Sequence, residues 1–485
     1  MKMKNIFLIL IATVTAISCS NNLEDLNQNI KDPSSVSGES LFSGAQKSLV
    51  DQMVTLNVND NNTKLWSQYL QETTYTDESN YDQVTRSIPL NHWSAMYKDV
   101  LKDLDEASKI INATDYIPAE LNELKTNKLA IIEILNVYTY ANLVETFGDV
   151  PYTEALDINN LTPKYDDGLT IYKDLLDRLD TAINSLEPGV DSFGSNDLIY
   201  KGDVSKWEMF ATSLKLRMGI LLADVEPELS KATVISAYAG NLIMDNSENA
   251  AYIYRTTDPN TNPIFTDLVL SGRQDFVAGQ TIITQLDSVF NDPRLSLYFE
   301  PVDGEFVGAE IGATAPYSTT SKLAERFNIP IEPGILFDYS EVQFLLAEAA
   351  ARGYSVGDVE THYNEGITAS ILYWGGTQAQ ADAYLAQANV AYASAIAASD
   401  ATTPWKEVIG TQKWIALFNR GMEAWTSIRL LDYPEMATPI DALSGYPNRY
   451  TYPVVEQTIN PDSWNEASSA IGGDQTETML FWDLN

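Results

Sequence analysis

The stretch LNHWSAMYKDVLKDLDEASKII (residues 90–111) predicts an amphipathic helix. Its apolar side chains recur at steps of three and four residues, which places them on one helical face. These side chains belong to Trp93, Tyr97, Val100, Leu104, Ala107 and Ile111. A half-buried strand would alternate apolar and polar side chains at every second residue. The pattern therefore favours a fold built from packed helices.

The helical periodicity continues along the chain. Pro118 lies near the start of the next amphipathic segment and Gly148 just past its end, which are the residue types expected at those places. A third amphipathic segment spans residues 165–186 and is followed by Pro188. Further helices are predicted at residues 204–223, 338–352, 358–373, 378–398 and 411–431.

Two long segments lack this periodicity. Residues 241–335 and 432–485 are rich in Pro, Gly, Asn and Thr, which predicts long loops and short strands that can carry specificity. Successive helices with short connections form antiparallel pairs of the tetratricopeptide type, although no strict repeat of about 34 residues is present. We predict a mainly α fold, with tetratricopeptide-like helix pairs forming one domain over residues 37–485.

The N-terminal residues indicate export. Lys2 and Lys4 precede an apolar run from Ile6 to Ile17. This run is shorter than the roughly 20 residues that a spanning helix needs. The basic start and the short apolar run are typical of a secretory signal peptide over residues 1–18.

Cys19 is the only cysteine among 485 residues, so it cannot form an intrachain disulfide. A small residue followed by cysteine at the end of such an apolar run resembles a bacterial lipoprotein processing site, which predicts lipid attachment at Cys19. Several acyl chains would hold the protein to a bilayer. The polar residues 19–36, interrupted by Pro33, then serve as a flexible tether. A soluble secreted protein is the alternative.

The composition excludes some classes of function. The formal net charge is −37, with 45% hydrophobic and 20% charged residues. A globular chain with this charge repels phosphates and lacks the basic patch that nucleic-acid binding requires. We therefore expect no nucleic-acid partner.

The motifs of common enzymes are missing from the sequence. The chain has two histidines, His92 and His362, each within a predicted helix, and no HExxH, CxxC, GxSxG or phosphate-binding GxxxxGK[ST] motif. We predict no catalytic residue, no metal site and no cofactor. A glycoside hydrolase needs only two carboxylates, and 67 acidic residues leave that alternative open.

Aromatic side chains are the candidate ligand contacts. Trp66, Tyr75, Tyr81 and Trp93 lie in a polar stretch rich in Asn, Gln, Thr and Asp, and Tyr317 lies in the irregular segment APYSTTS. Flat aromatic faces suit sugar rings, whose C–H groups pack on them while hydroxyls bond to polar neighbours. Alternatively, Trp66 and Trp93 pack at the starts of helices.

Several segments, in order along nearly the whole mature chain, resemble the SusD/RagB family of outer-membrane nutrient-binding lipoproteins, in particular its divergent branch. Near the N-terminus, residues 26–36 (LNQNIKDPSSV) and the helix-like LFSGAQKSLV resemble the opening of that family. The other segments are VETFGDVPYTEAL (144–156), KWEMFATSLKLRMGILLAD (206–224), DYSEVQFLLAEAAARGY (338–354), HYNEGITASILYWG (362–375), NRGMEAWTSIRLLDYP (419–434) and RYTYPVVEQTINPDSW (449–464).

The resemblance implies a helical scaffold that is lipid-anchored on the extracellular face of the outer membrane. There it would act as a lid on a TonB-dependent, SusC-like transporter and bind a glycan or a peptide without catalysis. The family usually carries ligand-binding aromatic residues in a loop of the Trp66–Trp93 region. A surface glycoside or peptide hydrolase is the main alternative, and a helical scaffold or adhesin that binds only proteins is a third.

Overall fold

The structure is a computed structural model that describes residues 36–116 and 121–484. The predicted signal peptide (1–18), the lipid site Cys19, the tether up to residue 35 and Pro118 lie outside the described residues. The described residues from Gly38 onward pack as one compact unit.

Helices form the N-terminal half of this unit, as the periodicity predicts. They are α1 (Gly38–Val54), α2 (Thr63–Trp66), α3 (Ile88–Ser94), α4 (Lys102–Ala113), α5 (Leu121–Phe147), α6 (Gly168–Ser185), α7 (Val204–Leu221) and α8 (Pro227–Tyr238). A π-helical segment, Ala95–Leu101, joins α3 to α4 without a break. Residues 90–111 are therefore helical throughout, and Val100, Leu104 and Ile111 are buried.

The C-terminal half contains a second set of helices, interspersed with short ones. They are α9 (Pro263–Phe265), α10 (Gln280–Ile283), α11 (Leu295–Tyr298), α12 (Tyr339–Ala351), α13 (Val359–Tyr373), α14 (Gln378–Leu385), α15 (Tyr392–Ala398), α16 (Pro404–Ala416), α17 (Gly421–Leu431), α18 (Glu456–Ile459) and α19 (Pro461–Ala470). Two π-helical segments, Thr266–Leu270 and Thr284–Val289, follow α9 and α10.

Two predicted helices are wrong as single elements. Residues 378–398 form α14 and α15, because the chain turns between them and the Tyr363 hydroxyl donates to the Val390 carbonyl oxygen at 2.9 Å. Residues 411–431 fall in α16 and α17, which are separated by a turn at Asn419, whose φ is +72°. Asparagine is one of the few residues that adopts this left-handed conformation readily.

The predicted end of α5 is confirmed. Gly148 has a φ of +89°, and its N–H donates to the Val144 carbonyl oxygen at 2.9 Å. A side chain at this position would also come within 2.9 Å of Leu480, so both the backbone conformation and the packing require glycine.

Within residues 36–116 and 121–484, eight short strands pair into four antiparallel two-stranded sheets. Five of the strands, β4 to β8, lie in or at the edge of the predicted loop-rich segment 241–335. The pairs are β1 (Leu70–Glu72) with β5 (Phe276–Ala278), β2 (Val150–Pro151) with β3 (Tyr165–Asp166), β4 (Ala250–Tyr252) with β8 (Gly334–Phe337), and β6 (Phe299–Glu300) with β7 (Lys322–Leu323).

Sequential helices pack against each other, with α5 on α6, α7 on α8 and α12 on α13. This arrangement confirms the predicted mainly α, tetratricopeptide-type fold. Within the described residues, no helix combines the length and the apolar character needed to cross a bilayer.

A buried ion network links α7, α12 and α17. The Arg217 guanidinium donates to both carboxylate oxygens of Glu341, at 2.7 and 2.8 Å, and Arg420 approaches Glu341 at 2.7 Å. Arg420 also lies 3.1 Å from Asp338. Burial by itself would raise the pKa of Glu341, but Arg217 and Arg420 outweigh it and lower that pKa below its usual value. The charge of Arg217 on α7 is thus paired inside the scaffold.

Candidate functional site

The candidate site lies at the open end of the β1–β5 ladder. Glu72 pairs with Phe276 in the last register position, and the Thr73 N–H still donates to the Asp275 carbonyl oxygen at 2.8 Å. Beyond that bond the two chains diverge. One carries Tyr75 and the other carries Arg273, so residues far apart in sequence meet at one edge.

Tyr75 is an exposed aromatic residue in a strained backbone conformation. Its φ is +56°, and 69% of the residue is accessible to solvent. A left-handed conformation costs a residue with a side chain roughly 1–2 kcal/mol. Such strain concentrates at ligand-binding sites, and the observed outlier therefore points to recognition.

Tyr75 lines a depression with a volume of about 180 Å³, which we call the Tyr75 depression. Aromatic, basic and amide side chains surround it, together with carboxylates from both sides of the ladder. Those that bear on binding are Asn57, Glu72, Tyr75, Arg86, Asp267 and Arg273.

Two arginines of the Tyr75 depression keep donors free. The Arg86 Nε–H donates to Glu78 and the Arg273 Nε–H donates to Asp275. The remaining N–H groups of both guanidinium ions make no hydrogen bond to the described residues. The side chains of Arg86 and Arg273 are 33% and 62% exposed, so these donors are available to hydroxyl or carbonyl oxygens of a ligand.

Glu72 forms the floor of the depression as a neutral acid. Burial, and then the neighbouring Glu78 carboxylate, raises the pKa of Glu72 to about 9. Its Oε2 accepts from the Ser79 N–H at 3.0 Å and from the Ser79 hydroxyl at 2.9 Å. Glu78 lies close enough to raise the pKa of Glu72, and its own carboxylate is paired with Arg86. At neutral pH Glu72 therefore keeps its proton.

An acidic depression of about 410 Å³ adjoins the first and shares Asn57 and Asp267 with it. Burial raises the pKa of Asp267 to about 6, although the Leu56 N–H donates to its carboxylate. Five aspartates line this acidic depression against a single lysine, Lys47, and its negative charge disfavours anionic ligands. The lining aspartates are Asp51, Asp60, Asp99, Asp258 and Asp267.

The predicted aromatic residues are dispersed by the fold. Trp66 is fully buried, its indole N–H donates to the Glu78 carbonyl oxygen at 3.2 Å, and its ring lies 5.2 Å from that of Trp425. Both faces of Trp66 are therefore covered, and its role as a ligand contact stays a prediction. Trp66 is the last residue of α2 and packs in the core at the end of that helix, not at its start.

Tyr81 and Trp93 also pack mainly against protein. Tyr81 is 5% exposed and lies edge-on to Trp66 at 6.5 Å. Its exposed edge lines a separate depression of about 350 Å³ beside Arg429. Trp93 is half-buried on α3 and lies edge-on to Phe147 at 5.0 Å. Of the four predicted residues, only Tyr75 lines the Tyr75 depression.

Tyr317 lies elsewhere. It is half-buried on the loop between β6 and β7, with the Lys322 Nζ 4.7 Å from its ring centre. It lines neither the Tyr75 depression nor the acidic depression. Its role as a ligand contact stays a prediction.

Both histidines are engaged within the core. His92 on α3 lies between Gln52 Nε2 at 3.0 Å and Asn142 Oδ1 at 2.9 Å, and burial lowers its pKa to about 4. His362 on α13 contacts Gln343 Oε1 at 2.7 Å and the Val356 carbonyl oxygen at 2.8 Å. Among the described residues, no group of three or more His, Cys, Asp or Glu side chains is arranged to hold a metal ion.

Sequence reasoning missed Arg86, Arg273 and Asp267. Arg273 and Asp267 do lie in segment 241–335, where loops were expected to carry specificity. Asn57 lies in the Asn-rich run NVNDNNT at residues 57–63. No local pattern connects these positions to Tyr75, because only the pairing of β1 with β5 brings them together.

A comparison with protein families matches residues 30–453 to the family model SusD-like_2, described as starch-binding and associating with the outer membrane. No curated protein shows a significant match.

Several solved structures share the fold. A protein described as a chitin-binding protein is 25% identical, with a TM-score of 0.79 over 93% of this chain and 100% of its own. A SusD homolog from Bacteroides uniformis is 24% identical, with a TM-score of 0.76 over 92% of this chain and 99% of its own. A chitin-binding SusD homolog from Flavobacterium johnsoniae is 23% identical, with a TM-score of 0.75 and the same coverage.

Proposed function

Since the chain belongs to the SusD/RagB family, whose matching model is described as starch-binding and outer-membrane-associated, we propose that it captures an oligosaccharide for import. In this proposal the protein is lipid-anchored at Cys19 on the extracellular face. It delivers the glycan, as a lid, to a TonB-dependent, SusC-like transporter. A peptide ligand is the second choice, because the open donors beside Tyr75 would also bind backbone carbonyl groups.

One observation carries the proposal: an exposed, strained Tyr75 lines the same depression as two arginines with free donors. The ring offers a flat face for the C–H groups of a sugar, and the guanidinium ions offer hydrogen bonds to its hydroxyls. The acidic depression adjoins this site through Asn57 and Asp267, so a chain of several sugar units would lie across both. The chitin-binding and starch-binding descriptions of related proteins support a glycan as the ligand.

A glycoside hydrolase is the second candidate, because Glu72 is a protonated acid that lines the depression. A retaining glycosidase places its two carboxyl groups about 5 Å apart, on either side of the sugar bond. Glu78, the carboxyl group beside Glu72, is instead 1% exposed and paired with Arg86. No sugar bond fits between them, and this geometry supports binding without turnover.

Calorimetric titration of the purified chain with maltoheptaose and with chitohexaose tests the proposal. We expect one of these glycans to bind, and Tyr75→Ala to weaken binding by about 30-fold, as loss of a central aromatic contact typically does. Tyr238→Ala is the matched control, because Tyr238 is 41% exposed on α8 and lines neither depression. Equal affinities of the wild type and the Tyr75→Ala variant would contradict the proposed site.

Chromatography of the same mixtures separates binding from hydrolysis. Intact glycan after prolonged incubation is the expected result. Shorter products that disappear in a Glu72→Gln variant would instead establish the hydrolase.

The anchor and the partner require a membrane experiment. We expect the wild-type chain to sediment with outer membranes and to co-purify with a large β-barrel protein. Cys19→Ala should release the chain into the soluble fraction. If the variant still sediments with membranes in the absence of the barrel, the lipid anchor is not the attachment.

A further inference from the structure

A separate cleft lies beside helices α13, α15 and α16 and has a volume of about 450 Å³. We call it the α16 cleft, because α16 forms its floor together with α13 and α15, while residues 433–435 close one side. It shares no lining residue with the Tyr75 depression or with the acidic depression. Its volume lies within the roughly 300–1,000 Å³ range of ligand pockets.

The α16 cleft has one apolar wall and one polar rim. The wall consists of aliphatic side chains and one ring: Val289, Phe290, Ala395, Ala398 and Val408. The rim presents amide, hydroxyl and carboxylate groups: Gln285, Glu407, Thr411 and Tyr433. A ligand that matches both must have an apolar face and a ring of hydrogen-bonding groups.

Thr411 provides the sharper observation. The residue is more than nine-tenths buried on α16 and lines the cleft, yet its hydroxyl makes no hydrogen bond to the described residues. A helical threonine usually donates to the carbonyl oxygen four residues earlier. The Thr411 hydroxyl is instead open to the cleft, where a ligand that supplies a hydrogen-bond partner can use it.

The charges of the α16 cleft select against anions. None of its described lining residues is basic. The Glu407 carboxylate accepts from the Ser399 hydroxyl, and Glu435 is exposed at the rim. A phosphate or carboxylate ligand would meet only like charge and is disfavoured.

We propose that the α16 cleft is a second carbohydrate site, which takes one or two sugar units of an uncharged glycan. A sugar ring packs its C–H face on the wall at Phe290 and Val408. Its hydroxyls bond to Thr411, Gln285 and the Tyr433 hydroxyl. The choice of a carbohydrate rests on the proposed function, whereas the site itself rests on the α16 cleft.

Titration of the purified chain with maltose and with N,N′-diacetylchitobiose, followed by calorimetry and ligand-observed NMR, tests this proposal. We expect a binding event that persists in Tyr75→Ala. Thr411→Val, which keeps the side-chain shape, should weaken that event about five- to tenfold through loss of one hydrogen bond. The unfolding free energy of the Thr411→Val variant should not fall, because the Thr411 hydroxyl makes no hydrogen bond to the protein that the substitution could remove. Tyr433→Ala should weaken the same event at least about tenfold, since it removes both a ring contact and a hydroxyl.

The outcomes separate the two sites. If Thr411→Val and Tyr433→Ala leave all disaccharide binding unchanged, or if no binding remains in Tyr75→Ala, the second site is overturned and the proposed function stands. If disaccharide binding depends on Thr411 and Tyr433 but Tyr75→Ala changes no affinity, the second site is supported and the proposed primary site fails.

Discussion

Arg217 in the helical scaffold and Arg273 beside Tyr75 each pair with a carboxylate, but they differ in how much of each guanidinium the protein uses. Arg217 donates to both oxygens of Glu341 and to the Leu336 carbonyl oxygen, and its side chain is 13% exposed. Arg273 donates only through Nε, to Asp275, and is 62% exposed.

The difference separates structure from recognition. Charges that satisfy each other inside a protein stabilise a particular packing, because removing one partner leaves the other buried and unpaired. Charges with free donors at the surface contribute little to stability but are ready for a ligand. Arg86 lies between these limits, since its partner Glu78 is buried while the arginine itself is one-third exposed.

The largest expected effect follows from breaking the scaffold network. Arg217→Met should lower the free energy of unfolding by about 3–5 kcal/mol, since Glu341 loses a bidentate partner in a buried site. Urea unfolding measures this change. Arg178→Met, at a half-exposed pair with Glu133, is the control and should cost less than about 1 kcal/mol. A similar loss of unfolding free energy in both variants would contradict the distinction between the buried network and the more exposed ion pairs.

Glu72→Gln should change how stability depends on pH. The pKa of Glu72 is raised from 4.5 to about 9, so the folded state holds a proton that the unfolded state has lost between those values. This group therefore stabilises the fold fully below pH 4.5, and that contribution is lost as pH rises towards 9, by up to about 1.4 kcal/mol per pH unit.

Glutamine has nearly the same shape as protonated glutamate, but it has no proton to lose as the pH rises. We expect Glu72→Gln to remove this slope, so that the variant gains stability relative to the wild type between pH 6 and pH 8. Urea midpoints at both pH values measure the gain. A constant difference across this range would show that Glu72 is ionised in the folded protein.

Arg86→Met should affect both stability and binding. Glu78 would remain buried without its cation, which costs about 1–3 kcal/mol of unfolding free energy. Glycan affinity should fall as well, because one set of donors beside Tyr75 is lost. Arg86→Lys restores the charge and should recover most of the stability. If Arg86→Lys recovers none of the lost stability, Arg86 does not stabilise the fold by balancing the charge of Glu78.

Arg273→Met should have the smallest effect on stability, within about 0.5 kcal/mol of the wild type, because its ion pair is exposed. Its glycan affinity should nevertheless fall by about tenfold, the value of one charge-assisted hydrogen bond. Calorimetry and urea unfolding on the same sample test both parts. A loss of stability without a loss of affinity would place Arg273 with the scaffold arginines.

The helices were largely predictable because each is encoded locally. In residues 90–111 the apolar spacing alone identifies the buried face, and the end of α5 follows from the backbone freedom of Gly148. The predictions failed where a turn depends on a distant partner, as between α14 and α15, where Tyr363 holds the turn. The burial of Trp66 could not be predicted locally, because it depends on contacts with Trp425 and Tyr450, which come from the far end of the chain.

By itself the sequence determined the mainly helical class and the family resemblance, since these depend on patterns within a few turns of helix. It also placed Tyr75 among the candidate ligand contacts. Only the tertiary structure decided that Tyr75 meets Arg86, Arg273 and Asp267, while Trp66 and Tyr81 turn inward. The physical reason is that side chains from separate segments form the binding surface. The pairing of β1 with β5 brings two of these segments together, but neither strand has a sequence pattern that identifies the other as its partner.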